Sequence, residues 1–546
     1  MKRKAVAAVL TAVMVASMFT GCGSDKGSSS AKSASAASAA SAANDTVDED
    51  GKVNGIMYQE GLPLVDEGDY TFSIFCDDSS ESGEFIMLDE FKKQTNVDVD
   101  LKIYPYETAT ERLNLDLNSG DYADVIGGWT LSDNAILTYG VNQGVFIPLE
   151  DYFEKYCPNI SAILDLPGVR EKMTAPDGHI YTIPYVCGDT TVGYSPYINT
   201  KWLENVGMSM PTTTDEFEAV LKAFKEQDAN GNGDASDEIP FSTDPNNKHI
   251  EAMAGYFGLP MNKLGIAIQD EKVVYGGVSN TYREFLSWFH KLYADGLVDV
   301  ELYTQDSSTW EGKGNQDLYG VSIAYGSNEF TGIPAAEERG DFDSMPVLNT
   351  DKGGIWLRDT EGFSVYRTQA VITNKAEHPE IICRWFDNAF ALENGIGCNR
   401  GPVGVIVNKE DDGYHAIDTT TLSEEDQEKY SWSNLWPQSL PKYLPADFEF
   451  VEEHPMYDEK KATEEAYEAN LTKEIIPSYW IDLDKIDTFS DTNTAIKDFF
   501  EQQQAQFVCG ELDIDNDADW QAYVDGMYSL GLEDWVATQG IEEIAK

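Results

Sequence analysis

Basic side chains are scarce in this sequence. The 546 residues carry 38 Lys plus Arg against 96 Asp plus Glu, a formal charge of −58. Phosphate polymers are bound by clustered cations that displace counterions, so this balance argues against a nucleic-acid partner. It argues equally against a basic patch resting on anionic lipid headgroups. Histidine is rarer still: six scattered residues form neither His-Glu-x-x-His nor any other metal-ligand spacing. None of the seven cysteines forms a Cys-x-x-Cys pair, which leaves out zinc ribbons and dithiol redox motifs. There is no Gly-x-x-x-x-Gly-Lys-Ser/Thr loop, no Gly-x-Gly-x-x-Gly fingerprint and no Gly-x-Ser-x-Gly elbow. Nucleotide hydrolysis, dinucleotide binding and serine-hydrolase chemistry thus lose their usual signatures.

Apolar material is not lacking. Hydrophobic residues make up 42% and aromatics 12%, enough for real cores rather than wholesale disorder. At about 150 residues per domain the length fits several domains or one large two-lobed fold.

The N-terminus reads as an export and anchoring signal. Lys2, Arg3 and Lys4 precede an apolar run from Ala5 to Phe19. That run is shorter than the roughly 20 residues that cross a bilayer comfortably, so it reads as the h-region of a signal peptide spanning residues 1–21. It ends in Phe19-Thr20-Gly21-Cys22, which resembles a bacterial lipobox with Cys22 as the lipidated residue. Residues 22–61 then read as a tether: Gly23 to Asn44 is almost entirely Gly, Ser and Ala, with no hydrophobic period. Folded structure is expected from Leu62 or Tyr70. The remaining six cysteines have two readings: three disulfides in an exported protein, or six buried thiols, the plainer expectation because a chain this long needs no staples.

The body alternates strand and helix patterns. Tyr70–Cys76 has strand composition, and Phe85, Leu88 and Phe91 are helix-spaced. Val97, Val99, Leu101 and Ile103 alternate with polar residues, which predicts a half-buried strand. A helix over Arg112–Leu117 and a short buried strand at Ala123–Ile126 complete a β-α-β-α-β opening, the mark of an open α/β sheet. Further helices are signposted by the Thr213-x-x-Glu216 capping box, the apolar stripe within Tyr282–Ala294, Pro379, and the Thr494–Phe507 stretch before Gly510.

The order of several motifs carries a family resemblance. Asp177-Gly-His-Ile-Tyr-Thr-Ile-Pro-Tyr185 leads to Tyr197-Ile-Asn-Thr-Lys-Trp-Leu203, then to Pro211–Phe217 and Asp228–Pro240. Downstream stand His290–Asp299, Ile372–Glu380 and Phe507–Asp515. The sequence resembles the family 1 extracellular solute-binding lipoproteins, the carbohydrate-capturing subunits of ABC importers in Gram-positive bacteria. The resemblance implies an α/β, two-lobed type II periplasmic binding protein fold with hinge crossings and an interlobal cleft. It implies an N-lobe of residues 62–190 and 365–430 and a C-lobe of residues 191–364 and 431–546. Crossings are expected near Asp189–Tyr194, near Glu361–Tyr366 and near Ser431. The implied partners are an oligosaccharide and the transmembrane subunits of an ABC permease, with a monomer held on the outer face of the cell membrane through Cys22. The resemblance implies a binding protein and not an enzyme. The alternatives are a surface-anchored glycoside hydrolase or lyase using a carboxylate pair, which 96 acids leave room for, and a structural adhesin.

Two sites are expected. Asp228, Asn230, Asn232 and Asp234 stand at alternate positions with Gly233 between the last two, the first half of an EF-hand-type loop. Short oxygen-bearing side chains at that spacing can converge on Ca2+, and Gly233 permits the turn. Ile239 occupies the twelfth position in place of a bidentate Glu, and Asp237 and Glu238 are expected to close the shell. The ion's role there is structural. For sugars, flat aromatic platforms meet C–H faces while planar polar groups meet hydroxyls. The expected ligand-binding set is Trp129, Asp189, Tyr325, Trp310, Trp356, Arg358, Trp432 and Trp436, chosen from loops at strand ends and from the proposed crossings.

Overall fold

The computed structural model describes residues 45–78, 84–244, 249–332, 341–446, 448, 450–451, 455–541 and 543–545. The expected signal peptide, Cys22 and the Ser/Ala-rich stretch lie outside the described residues. Among the described residues no helix is long and apolar enough to cross a membrane.

The first lobe is built on a five-stranded sheet. Its spatial order is Val97–Tyr104, Tyr70–Asp77, Val125–Gly127, Phe363–Ile372, Thr182–Gly188. The first three strands are parallel; Phe363–Ile372 runs antiparallel to both of its neighbours. Alternation along Tyr70–Asp77 explains the layering. Phe72, Ile74 and Cys76 face one core, with Phe91, Trp385 and Leu440, while Phe75 faces the other with Leu113, Ile126 and Val371. The helices Ile86–Thr95 and Pro379–Ala389 cover the first face. Pro379 stands in the first turn of its helix, where its fixed φ and missing N–H cost nothing.

The second lobe carries a four-stranded sheet in the order Phe342–Ser344, Ser195–Asn199, Tyr319–Ala324, Ile239–Thr243. Its core gathers Trp202, Phe217, Leu221, Phe224, Phe285 and Phe289. Thr213 caps the helix Thr214–Glu226 by accepting the Glu216 N–H at 3.2 Å. The reciprocal half of the box is displaced by one residue: Glu216 accepts from the N–H and hydroxyl of Thr212, both at 2.8 Å.

The chain passes between the lobes at residues 189–194 and 359–362, and the two passages bond to each other. Asp189 N–H donates to Gly362 O at 3.1 Å, and Asp359 N–H to Thr191 O at 3.0 Å. The third passage differs from the expected one near Ser431. Leu435, Trp436 and Leu440 are buried, Trp436 and Leu440 in the first lobe's core, and the backbone at 442–444 bonds to Val186. The return therefore falls after Leu444. A further excursion was not expected either: Ile481 and Ile486 sit in the first lobe's core, whereas Ile496, Phe500 and Phe507 of the same helix, Ile486–Cys509, sit in the second. That helix joins the two cores directly.

Two other expectations are corrected. Folded structure starts before Leu62, because Lys52–Val53 pairs with Met57–Tyr58, and Val53, Met57, Leu64 and Val65 are fully buried. The Arg384 guanidinium fixes this segment by donating to the carbonyls of Tyr58, Gln59 and Gly61. Five of the six cysteines are buried free thiols, but Cys509 is exposed at its helix end.

Candidate functional site

The site starts at the C-terminal ends of the first lobe's strands. Asp77 ends Tyr70–Asp77 and is fully buried. Its carboxylate accepts the N–H groups of Trp129 at 2.9 Å and Thr130 at 2.6 Å. Gly128 makes that approach possible: it has φ +135°, and a Cβ there would stand 2.3 Å from Asp77 Oδ1. The turn so fixed turns the Trp129 indole outward, 44% exposed.

From Trp129 a row of rings runs across the lobe. Tyr366 meets it edge to face with centroids 5.4 Å apart, and Tyr185 stacks on Tyr366 at 5.5 Å. Lys442 Nζ lies 5.1 Å from the Tyr185 ring centre and 5.8 Å from that of Trp432, which is 58% exposed. The second lobe contributes Tyr325, at the end of Tyr319–Ala324, with Tyr194 edge-on at 6.0 Å and His249 stacked on Tyr194 at 4.1 Å.

Asp189 ties the two halves together. It accepts the hydroxyls of Ser364 at 2.6 Å and Tyr366 at 3.0 Å from one lobe, and that of Tyr325 at 3.4 Å from the other. Beside it, Lys460 stands 3.6 Å from the Tyr325 ring centre and donates to Gly193 O at 3.0 Å, while Asp359 accepts the Gly193 N–H at 2.7 Å. Burial dominates the electrostatics here. It pulls Lys460 down to about 8 and pushes Asp359 up to about 6. Burial, with Lys263 adding to it, lowers His249 to about 4, so the imidazole is neutral at pH 7. Glu329, whose carboxylate accepts the Tyr325 N–H, is raised by burial. The ensemble offers aromatic faces, hydroxyls and fixed acceptors, the equipment for holding a polyhydroxylated solute.

Of the expected platforms, Trp129, Tyr325 and Trp432 stand in this arrangement, as does Asp189. Three indoles do not. Trp436 is fully buried between Phe91 and Trp385, Trp356 is buried against Tyr256 and Tyr467, and Trp310 is buried against Phe330 with its N–H on Ser322. Their flanking residues are polar, but the indoles turn inward and bury a large apolar area. Arg358 is also corrected: its guanidinium is engaged by Thr472 O at 3.1 Å and by Glu468 at 3.5 Å, where Trp356–Arg358 pairs with Leu471–Ile475. Tyr185, Tyr366, Tyr194, Lys442 and Lys460 were missed. Tyr185 and Tyr366 fall within the strands Thr182–Gly188 and Phe363–Ile372, which no sequence pattern had marked; their position beside the expected crossings was the available signal.

The loop after Thr214–Glu226 folds around its own oxygens. Asp228 accepts the Gly233 N–H at 3.0 Å, Asn230 the Asn232 N–H at 3.0 Å, and Asn232 the Asp234 N–H at 2.8 Å. Asn232 also donates to Asp237 at 2.8 Å, and Glu238 Oε1 accepts the Ala229 N–H at 2.9 Å. Asp228 Oδ1 and Glu238 Oε2 are buried and accept no hydrogen bond. Two orphaned carboxylate oxygens in an oxygen-rich loop fit a hard cation.

Two α/β lobes joined by paired crossings, with aromatic rings assembled from both around a shared carboxylate, define the class of type II periplasmic binding proteins. A sequence model described as bacterial extracellular solute-binding protein matches residues 78–395, more than half of the chain, and the chain belongs to that family. It is 34% identical over 335 residues to the fructooligosaccharide ABC transporter substrate-binding protein FusA of Streptococcus pneumoniae, across 59% of this chain and 61% of that one. It is 28% identical over 280 residues to the lipoprotein LipO of Bacillus subtilis, across 50% of this chain and 52% of that one. The matched stretches thus span somewhat over half the length of these relatives. A solved structure of S. pneumoniae FusA in complex with kestose superposes with a TM-score of 0.75 at 27% identity, covering 86% of this chain and 98% of the other. One of a FusA EF-hand mutant in complex with fructo-nystose gives 0.74 at 27% identity, with the same coverage. The family is one of solute-binding proteins, and the hydrolase alternative gains no support from it.

Proposed function

We propose that the chain is the solute-capturing component of an ABC importer and that its ligand is an oligosaccharide. The row Trp129–Tyr366–Tyr185–Trp432, facing Tyr325 across Asp189, carries this reading. Trp129 and Tyr366 meet edge to face, Tyr366 and Tyr185 stack, and Trp432 joins them across Lys442; such rings match the C–H faces of a glycan, and Asp189 and its neighbours match hydroxyls. Ligand that touches both lobes stabilises the closed arrangement by its differential affinity, and the closed form docks on the permease. The FusA likeness favours a neutral, fructose-containing oligosaccharide. The reading includes a lipid anchor at Cys22 on the outer face of the membrane of a Gram-positive bacterium, and a monomeric protein. It also includes a structural Ca2+ held by Asp228, Asn230, Asn232, Asp234, Asp237 and Glu238.

Thermal shift and calorimetry against kestose, nystose, maltooligosaccharides and oligogalacturonides test the reading. One neutral class should raise the melting point, by the equivalent of about 2.7 kcal/mol at a hundred times its dissociation constant. Absence of binding across the panel, or release of shorter sugars from a bound glycan, overturns it.

A further inference from the structure

Lys442 is almost completely buried, and no carboxylate lies within ion-pair distance of it among the described residues. A buried ammonium without a direct ion-pair partner is costly, so its surroundings need a reason. The surroundings are specific. Nζ donates to Gln438 Oε1 at 2.6 Å and stands against the rings of Tyr185 and Trp432. Gln438 has no freedom to turn its amide, because Nε2 donates to Trp432 O at 2.8 Å and Trp436 O at 2.9 Å. Its backbone N–H is held by Asp78 at 2.7 Å. The backbone of Lys442 is fixed too, its carbonyl accepting the Val186 N–H at 3.1 Å. Lys442 therefore reaches Trp432 twice, once through the ring face and once through Gln438.

We propose that Lys442 is a positioning residue of the ligand site: its ammonium, wedged between Tyr185 and Trp432 and tied through Gln438 to the Trp432 carbonyl, sets the angle at which Trp432 is offered to a sugar. The proposal rests on the ring row being the sugar-binding surface. Trp432 needs such a tie, because it is the most exposed ring of the row and comes from a short turn, Trp432–Asn434, rather than from a strand. A cation over a ring face is worth most where water is excluded.

Protonation makes the tie testable. Burial pulls Lys442 down to about 8, and Arg400 acts in the same direction. The Cys398 and Cys187 thiols and the Asp78 carboxylate act against it. Cys187 is itself pushed up to about 11 and Cys398 higher, while burial raises the Tyr185 hydroxyl well above its ordinary value, so these groups stay neutral while Lys442 titrates.

The experiment uses the full-length folded chain without ligand. The fluorescence of Trp432 is isolated as the difference between wild type and Trp432→Phe, and its emission and acrylamide quenching are followed from pH 6 to 10. A transition centred near 8 is expected. It should vanish in Lys442→Met, which keeps the volume and should keep the fold, and in Lys442→Arg, whose charge persists. An unchanged transition in Lys442→Met, or none in wild type, overturns the proposal. Binding gives the second arm. For whichever panel sugar binds wild type, Lys442→Met should weaken affinity about tenfold with little change in melting point, and Lys442→Arg should recover most of it. Undiminished affinity in Lys442→Met overturns the proposal. If wild type binds no sugar of the panel, the sugar-binding reading fails, and the fluorescence arm still decides the role of Lys442.

Discussion

Tyr366 donates its hydroxyl to Asp189 at 3.0 Å, and through that carboxylate a strand of one lobe is connected to Tyr325 of the other. Asp189 lies at the start of the first crossing, so any change in the angle between lobes must change these bonds. A carboxylate already satisfied by three hydroxyls is a fixed acceptor, oriented before ligand arrives. Hydrogen bonds to charged groups are worth about 1.5–3 kcal/mol each. Asp189→Ala should therefore lower glycan affinity at least about tenfold and broaden or lower the melting transition. Calorimetry on this variant and on Tyr366→Phe checks it; wild-type affinity in both variants rules out Asp189 as the interlobal tie.

Two tryptophans should behave in opposite ways. Trp129 is 44% exposed, whereas Trp436 is 0% exposed. Trp129→Ala should cost affinity by more than about tenfold and change stability by less than about 0.5 kcal/mol. Trp436→Ala should cost about 3–5 kcal/mol of stability, because a large cavity opens between Phe91 and Trp385. Denaturant unfolding and calorimetry on both proteins separate the effects. A Trp129→Ala protein that binds sugar as well as wild type removes this ring from the site.

Those same two residues show how far sequence reaches. Both follow polar or glycine-rich stretches and both read as loop tryptophans. Trp129 comes directly after a short buried strand, and position relative to a strand end is a local property that sequence carries. Trp436 differs because its environment is assembled by Phe91 and Trp385, which are distant in sequence. The strand alternation at Val97–Ile103 and the capping residue Thr213 were legible for the same local reason. Tyr185 and Tyr366 were hidden because their strands end at the crossings, where a strand residue becomes part of a surface. The return passage was misplaced because Leu435, Trp436 and Leu440 follow no single period, so their burial in the first lobe leaves no rhythmic trace.

Asp359 makes a pH-dependent contribution whose sign can be worked out. Burial raises its carboxyl from 3.8 to about 6. Between those values the folded chain binds more protons than the unfolded chain. Stability from this group is therefore greatest below pH 4 and declines as pH rises through 6. Asp359→Asn should remove that decline while keeping an oxygen for the Gly193 N–H. The measurement is the melting-point difference between variant and wild type at closely spaced pH values; a difference that stays flat from pH 4 to 6.5 shows that Asp359 does not titrate in this window.

The loop at Asp228–Glu238 leads to the last expectation. Asp228 Oδ1 and Glu238 Oε2 are buried without donors, which is unfavourable unless something positive sits between the loop oxygens. Burial also raises Glu238, so without a cation its carboxylate is harder to ionise. Binding a divalent ion would reverse both effects and fix the turn between the helix Thr214–Glu226 and the strand Ile239–Thr243. Stripping the protein with EDTA should lower its melting point, and adding Ca2+ should restore it with measurable heat. Asp228→Ala should abolish both responses and leave the affinity for sugar nearly unchanged, because the loop adjoins none of the rings. If the stripped protein takes up no Ca2+ and melts where wild type does, these two oxygens are held apart by protein alone and the loop is only an acidic turn.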